Sequence, residues 1–139
     1  MRPVRSSVPV RTICAALPVV LMLAGGAPVL AQDWAPGERL TFVNCGRCHV
    51  IGERNRMGGI DSTPGFPVIR TWEDWERKMR GFYALNPHPA FTQVAGVTPP
   101  FASNLPSPIH PVRLTEAEIE TIVEYARTVA PADLGAPIR

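Results

Sequence analysis

Cysteine is scarce in this chain of 139 residues: there are three, and the first, Cys14, falls in an N-terminal leader-like stretch. The remaining pair, Cys45 and Cys48, is too few for the multi-disulfide scaffold of small secreted domains. A disulfide across two intervening residues would close a very small loop and add little stability. Such a pair is chemical rather than structural. Long charge runs are lacking as well. With both signs interspersed, there is no basic stripe and no interleaved aromatic platform, which excludes nucleic-acid binding. No internal repeat is visible. Methionine does not occur after Met79, and that absence matters below.

What is present begins with a leader. The first thirty-one residues carry Arg2, Arg5 and Arg11, no acidic residue, the apolar run "ICAALPVVLMLAGGAPVL" and a small-residue end. This is the pattern of a secretory signal peptide, with cleavage expected between Ala31 and Gln32. Pro18, Gly25, Gly26 and Pro28 interrupt the run, so no membrane anchor is expected in the mature form. Cys14 precedes most of the run, where a lipid acceptor would follow it. Removing residues 1–31 takes away three of the 14 basic residues and none of the 12 acidic ones, leaving a net charge of −1. One domain is expected over 32–139, in a periplasmic location.

Three helices are predicted in that domain. The first begins near "APGERLTFVNC", with Pro36 at a first helical position, and delivers Cys45 at its end. The second is "TWEDWERKMRGFYAL", with Thr71 as N-cap, Glu73 and Asp74 in the first turn, and Asn86-Pro87 as its stop. Its apolar positions are Trp72, Trp75, Met79, Phe82 and Tyr83. The third is "LTEAEIETIVEYARTVA", opened by a Thr115–Glu118 capping box, with a stripe of Ile119, Ile122, Val123, Ala126 and Val129. Trp72 and Trp75 read as core, and Trp34 as a helix-start residue.

The connections "GERNRMGGIDSTPGFPVIR" and "NPHPAFTQVAGVTPPFASNLPSPIHPV" read as ordered loops, and "PADLGAPIR" as a short extended tail. Loops of this length are uncommon in a compact domain unless they wrap something. Three short helices are also a thin core for about a hundred residues. A large apolar cofactor at the centre accounts for both.

The stretch "FVNCGRCHV", Phe42 to Val50, carries the chemistry. A thioredoxin-like redox pair needs a preceding strand and a βαβ context, and neither signal is present. A structural zinc site needs four ligands, yet no further cysteine exists and His88 and His110 stand alone in loops. Cys-x-x-Cys-His is the signature of covalent haem attachment. Two intervening residues let a turn present both thiols along one haem edge, and the next residue then falls beneath the ring.

With "GERLTFVNCGRCHV" at its start and "LTEAEIETIVEYARTVA" at its end, the chain resembles the class I c-type cytochromes. The resemblance spans most of residues 34–130, loosely in the middle. It implies an all-α fold in which three main helices and long loops wrap one covalent haem c. It also implies that Gly37 and Phe42 of the first helix pack across the last helix at Tyr125. Cys45 and Cys48 would form the thioethers, and His49 would ligate the iron. Phe66 in "TPGF" and Phe101 in "VTPPF" are expected to cover the ring.

The family usually supplies a late methionine as second axial ligand, and here Phe91 in "NPHPAFTQ" falls where it would lie. Four side chains are candidates for that position: His88, held between two prolines; His110 in "SPIHPV"; Met57 in "NRMGGI"; and Met79. The sixth position could also be open.

The function expected is single-electron transfer by a monomeric exported monohaem cytochrome, an electron carrier rather than an enzyme, docking transiently with redox proteins such as a dehydrogenase, an oxidase or a membrane complex. One alternative is a five-coordinate haem protein that binds a diatomic gas or reduces peroxide. The other is a dedicated electron-accepting subunit of one dehydrogenase.

Overall fold

The computed structural model describes residues 33–135. The expected signal peptide, residues 1–31, lies outside them, and Gln32–Arg139 forms one compact unit. Helix α1 spans Glu38–Cys45, α2 Phe66–Ile69, α3 Trp75–Arg80 and α4 Glu116–Thr128. Three 3-10 turns lie at Glu53–Asn55, Phe82–Ala84 and His88–Ala90. Strands β1 (Thr92–Val94) and β2 (Val112–Leu114) pair in parallel, Thr92 opposite Val112 and Val94 opposite Leu114.

The all-α expectation is therefore corrected: a two-stranded parallel sheet joins four short helices. Both strands come from segments read as loop. Each is three residues long, too short for period-2 alternation to register, and their pairing depends on partners about twenty positions away.

The second predicted helix is also corrected. Pro67 sits in the first turn of α2, and Thr71 belongs to the end of that helix: its N–H reaches Val68 O at 3.0 Å and its Oγ1 donates to the same oxygen at 2.7 Å. Thr71 is thus not an N-cap, and α3 starts four residues later, with Asp74 preceding Trp75. Gly81 ends α3 after six residues, and Phe82–Ala84 continues only as a 3-10 turn. Gly in a helix interior costs about 1 kcal/mol relative to Ala, and here the chain turns at that point. The Asn86–Pro87 peptide is cis.

The first and last helices follow the sequence reading. Thr115 Oγ1 accepts from Glu118 N at 3.2 Å and Glu118 Oε2 accepts from Thr115 N at 2.7 Å, closing the capping box of α4. Ile119, Ile122, Val123 and Ala126 are all buried on one face of α4, with Val129 half-buried beyond its end. Each fully buried Ile or Val side chain contributes about 1.5–3 kcal/mol. Their partners are Ile51, Phe66, Ile69, Trp75, Val94 and Leu114, from the loop after α1, from α2 and α3 and from both strands, with Leu40 and Phe42 of α1 packed against the cluster. Arg127 and Arg80 tie α4 to α3 at the surface: Arg127 grips both carboxylate oxygens of Glu76 at 2.9 and 2.7 Å, and Arg80 reaches Glu120 at 2.7 Å.

Gly37 lets α1 cross α4. It has φ of 76°, and a Cβ there would lie 2.7 Å from Thr121 O and 3.0 Å from Tyr125 Cβ. Only glycine fits both the left-handed backbone and the contact. The Tyr125 hydroxyl points on to Ile51 O at 3.5 Å, just past the cysteine-histidine loop. Trp34 packs on Phe42 with centroids 5.3 Å apart, beneath the Arg54 guanidinium, so it covers the outer side of α1.

Candidate functional site

Helix α1 ends at Cys45, and the chain then turns tightly. Gly46 N bonds Phe42 O at 2.9 Å, while Cys48 N and His49 N both bond Cys45 O, at 3.1 and 2.9 Å. This wraps both thiols and the imidazole around the helix end. A second layer fixes the turn from outside. Asn55 Nδ2 donates to His49 O at 2.8 Å and to Gly46 O at 3.2 Å, and its Oδ1 accepts from Ile51 N at 2.8 Å. One amide side chain thus satisfies backbone groups on both sides of His49. Sequence reasoning missed Asn55; the available signal was an Asn in a turn flanked by glycines, a common side-chain-to-backbone pattern.

The strand of loop that follows lies alongside. Ile60 N bonds Cys48 O at 2.9 Å and Phe66 N bonds Val50 O at 2.7 Å. Gly59, at φ 83°, passes so near that a Cβ would meet Val50 N at 3.1 Å. This register brings Pro64 O to 2.8 Å from His49 Nδ1. A carbonyl only accepts, so Nδ1 carries the proton and Nε2 holds the lone pair of the neutral ring. Burial holds the His49 imidazole below its ordinary pKa, with the Pro64 carbonyl opposing and nearby His88 adding to the depression. The neutral form is the one that binds a metal.

Cys45, Cys48 and His49 share the wall of a cavity of about 980 Å³, at the upper end of the range of small-molecule and cofactor sites. Both cysteines are free thiols. Burial, reinforced by Cys48, pushes the Cys45 thiol up to about 12. In redox-active pairs the attacking thiol is shifted the other way, toward thiolate.

Of the other candidates, Phe66 is 3% exposed and lines the cavity, its ring 6.0 Å from that of His49. Phe101 is half-buried and is not among the lining residues. Met57 is 90% exposed and outside the cavity. Met79 is packed against the core while reaching the cavity wall, and His110 lies on the wall with its side chain exposed.

His88 stands opposite His49. Their ring centroids are 6.1 Å apart and their planes differ by 5°. The His88 ring is fenced by Phe82, edge-on at 5.0 Å, and by Phe91 at 5.7 Å, and its Nδ1 lies 2.9 Å from Leu85 O.

The rest of the wall has a consistent chemistry. Its charged side chains, Arg47, Lys78 and Arg113, are all cations. Thr92 is 3% exposed, lines the cavity, and has a buried Oγ1 without a hydrogen-bond partner. Val43, Ile60, Leu85 and Ile109, exposed by 38–61%, also line it. Two thiols on one wall, two facing imidazoles and a broad apolar interior suit a large, flat, mainly apolar, metal-bearing cofactor with anionic substituents. Among the described residues, no helix is long and apolar enough to cross a membrane. Compared with protein families, curated proteins and solved structures, the chain matches none.

Proposed function

We propose that this chain is an exported periplasmic protein that holds one haem c covalently and passes single electrons between larger redox proteins. The observation that carries the reading is the common placement of Cys45, Cys48 and His49 on one cavity wall, with His49 Nδ1 bonded to Pro64 O and Nε2 left as the donor. The Cys-x-x-Cys-His spacing supports it independently. When bound, the haem supplies one-electron chemistry through iron cycling between two oxidation states.

The residues present fit that group. Cys45 and Cys48 would hold it as thioethers, and His49 would bind its iron through Nε2. Two propionate carboxylates would suit the all-cationic charged lining of Arg47, Lys78 and Arg113, and an acceptor in the cavity would give the orphaned Thr92 hydroxyl a partner. A buried hydroxyl without a partner costs about 1–3 kcal/mol, which makes Thr92 a position shaped for a bound group. An apolar ring would cover the exposed Val43, Ile60, Leu85 and Ile109 side chains. Phe66 packs edge-on to His49 and Phe82 edge-on to His88, apolar neighbours that would limit solvent rearrangement when charge arrives or leaves.

The test is export of the chain in cells that carry haem-attachment machinery, followed by denaturation and a haem stain. Haem retained through denaturation, and lost in Cys45→Ala/Cys48→Ala, is expected, together with a reversible one-electron redox titration. A chain that keeps no haem after denaturation would overturn the reading.

A further inference from the structure

Given a haem attached at Cys45 and Cys48, on which this inference rests, the identity of the group on the far side of the iron decides what the site can do. We infer that His88 is the second axial ligand, so that Nε2 of His49 and Nε2 of His88 hold the iron between two nearly parallel imidazoles.

The first argument is spacing. The 6.1 Å between these centroids lies within the range of about 4.5–7 Å for offset-stacked rings, and it is equally the separation that a metal-bridged pair requires. A single metal atom between two imidazoles, with metal–nitrogen bonds of about 2 Å on each side and the half-width of each ring added, brings the centroids to roughly 6 Å.

Hydrogen bonding argues the same point from different atoms. His88 Nδ1 faces Leu85 O at 2.9 Å, as His49 Nδ1 faces Pro64 O at 2.8 Å. Each carbonyl accepts, so each Nδ1 carries a proton, and a ring so held offers Nε2 as its metal-binding nitrogen. A backbone carbonyl on the non-ligating nitrogen is how ligating histidines are ordinarily oriented. Two facing histidines in one cavity are therefore held in the same metal-ready tautomer. The His88 ring is further confined by Phe82 and Phe91, and its backbone by Pro87 and Pro89.

The competing side chains lack this arrangement. Met57 is outside the cavity, Met79 reaches the cavity wall but packs against the core, and His110 lies exposed on the wall. With histidine on both sides, a diatomic gas or peroxide must displace a ligand to bind, and the potential falls below that of a His/Met site, because a thioether ligand raises it. The protein is then a low-potential carrier and neither a gas sensor nor a peroxidase.

The haem-loaded full chain tests this. Its ferric form should be low-spin, with no near-infrared band from a sulfur-to-iron transition. Its electron paramagnetic resonance should be the rhombic type given by near-parallel imidazoles rather than the strongly anisotropic type of crossed ones. His88→Ala should convert the low-spin spectrum to high-spin and open the reduced protein to carbon monoxide, while His110→Ala changes neither. A high-spin wild type, a sulfur-to-iron band, a crossed-imidazole signal, or a low-spin His88→Ala protein would overturn the assignment. Where His88→Ala fails to fold, the wild-type spectra still test bis-histidine ligation, and a His110→Ala protein that keeps or loses the low-spin spectrum supports or overturns the assignment to His88. Haem absent after denaturation overturns the attachment reading; haem retained with an unchanged His88→Ala spectrum overturns this inference alone.

Discussion

Gly37 lies so close to Thr121 that a Cβ at residue 37 would sit 2.7 Å from the Thr121 carbonyl oxygen, and its backbone is left-handed as well. A side chain there meets two penalties: about 1–2 kcal/mol for the left-handed conformation and about 1–3 kcal/mol for overpacking the helix crossing. Gly37→Ala is expected to lower unfolding stability by roughly 2–5 kcal/mol, read from urea denaturation. A change under about 0.5 kcal/mol, the range of ordinary surface substitutions, would show that α1 and α4 do not approach this closely.

Asn55 fastens the Cys-x-x-Cys-His turn from outside through Gly46, His49 and Ile51. Asn55→Ala leaves those backbone groups to find other partners, at about 1–3 kcal/mol for each one left buried and unsatisfied. Reduced thermal stability and a reduced yield of covalently loaded protein are expected together. Asn55→Asp keeps the acceptor toward Ile51 N and loses both donors, so it should fall between Ala and the wild type. Equal behaviour of Asp and Asn would mean that the donor contacts contribute nothing.

Glu76 should govern part of the acid sensitivity. Arg127 first, and then Arg80, hold its carboxyl down from 4.5 to about 2. A carboxylate whose folded pKa is depressed contributes stability that is fully present above its unfolded value and is lost as pH falls toward the folded one. The contribution is therefore intact above about pH 5 and fades between pH 4.5 and about 2. Melting temperatures of wild type and Glu76→Gln should differ at neutral pH and converge near pH 2. A gap that stays constant with pH would assign the effect to something other than this ionisation.

Thr92 offers a test of the cavity wall that needs no redox assay. In a chain carrying Cys45→Ala and Cys48→Ala, replacing Thr92 by Val removes a buried hydroxyl without a partner and should raise stability by about 1 kcal/mol. In the haem-loaded protein the gain should shrink or reverse. The same gain in both forms would mean that the hydroxyl makes no contact with the bound group.

The parts legible in the sequence were those encoded locally. Cys45, Cys48 and His49 are adjacent in the chain, so their spacing alone presents them together. The α4 capping box and stripe repeat at helical period within thirteen residues, where both signals can be read directly. Gly37 against Tyr125 was expected only by resemblance, and the close approach at α1 and α4 agrees with it. What stayed hidden depends on contacts distant in the chain. β1 and β2 are each three residues long and exist because they find each other. Thr71 has every local mark of an N-cap, yet α2, a single turn begun by Gly65-Phe66-Pro67, takes it first. His88 could be named from the sequence as one of four candidates. The fold sets the Pro64 carbonyl behind the His49 ring and the Leu85 carbonyl behind that of His88, and the proposal of His88 over the other three rests on that placement. Phe101 was proposed from its neighbours "VTPP", which say where the chain bends and nothing about which way a ring faces.

The high pKa of Cys45 bears on timing. In the folded domain the thiol is packed against the core and held up at about 12, so it is almost wholly protonated and a poor nucleophile at neutral pH. In the unfolded chain the same thiol has ordinary reactivity. The haem attachment proposed above is therefore favoured before the fold buries Cys45. Alkylation of Cys45 that is slow in the native, haem-free chain and fast in urea would be its signature; equal rates in both would show that the fold does not shield this thiol.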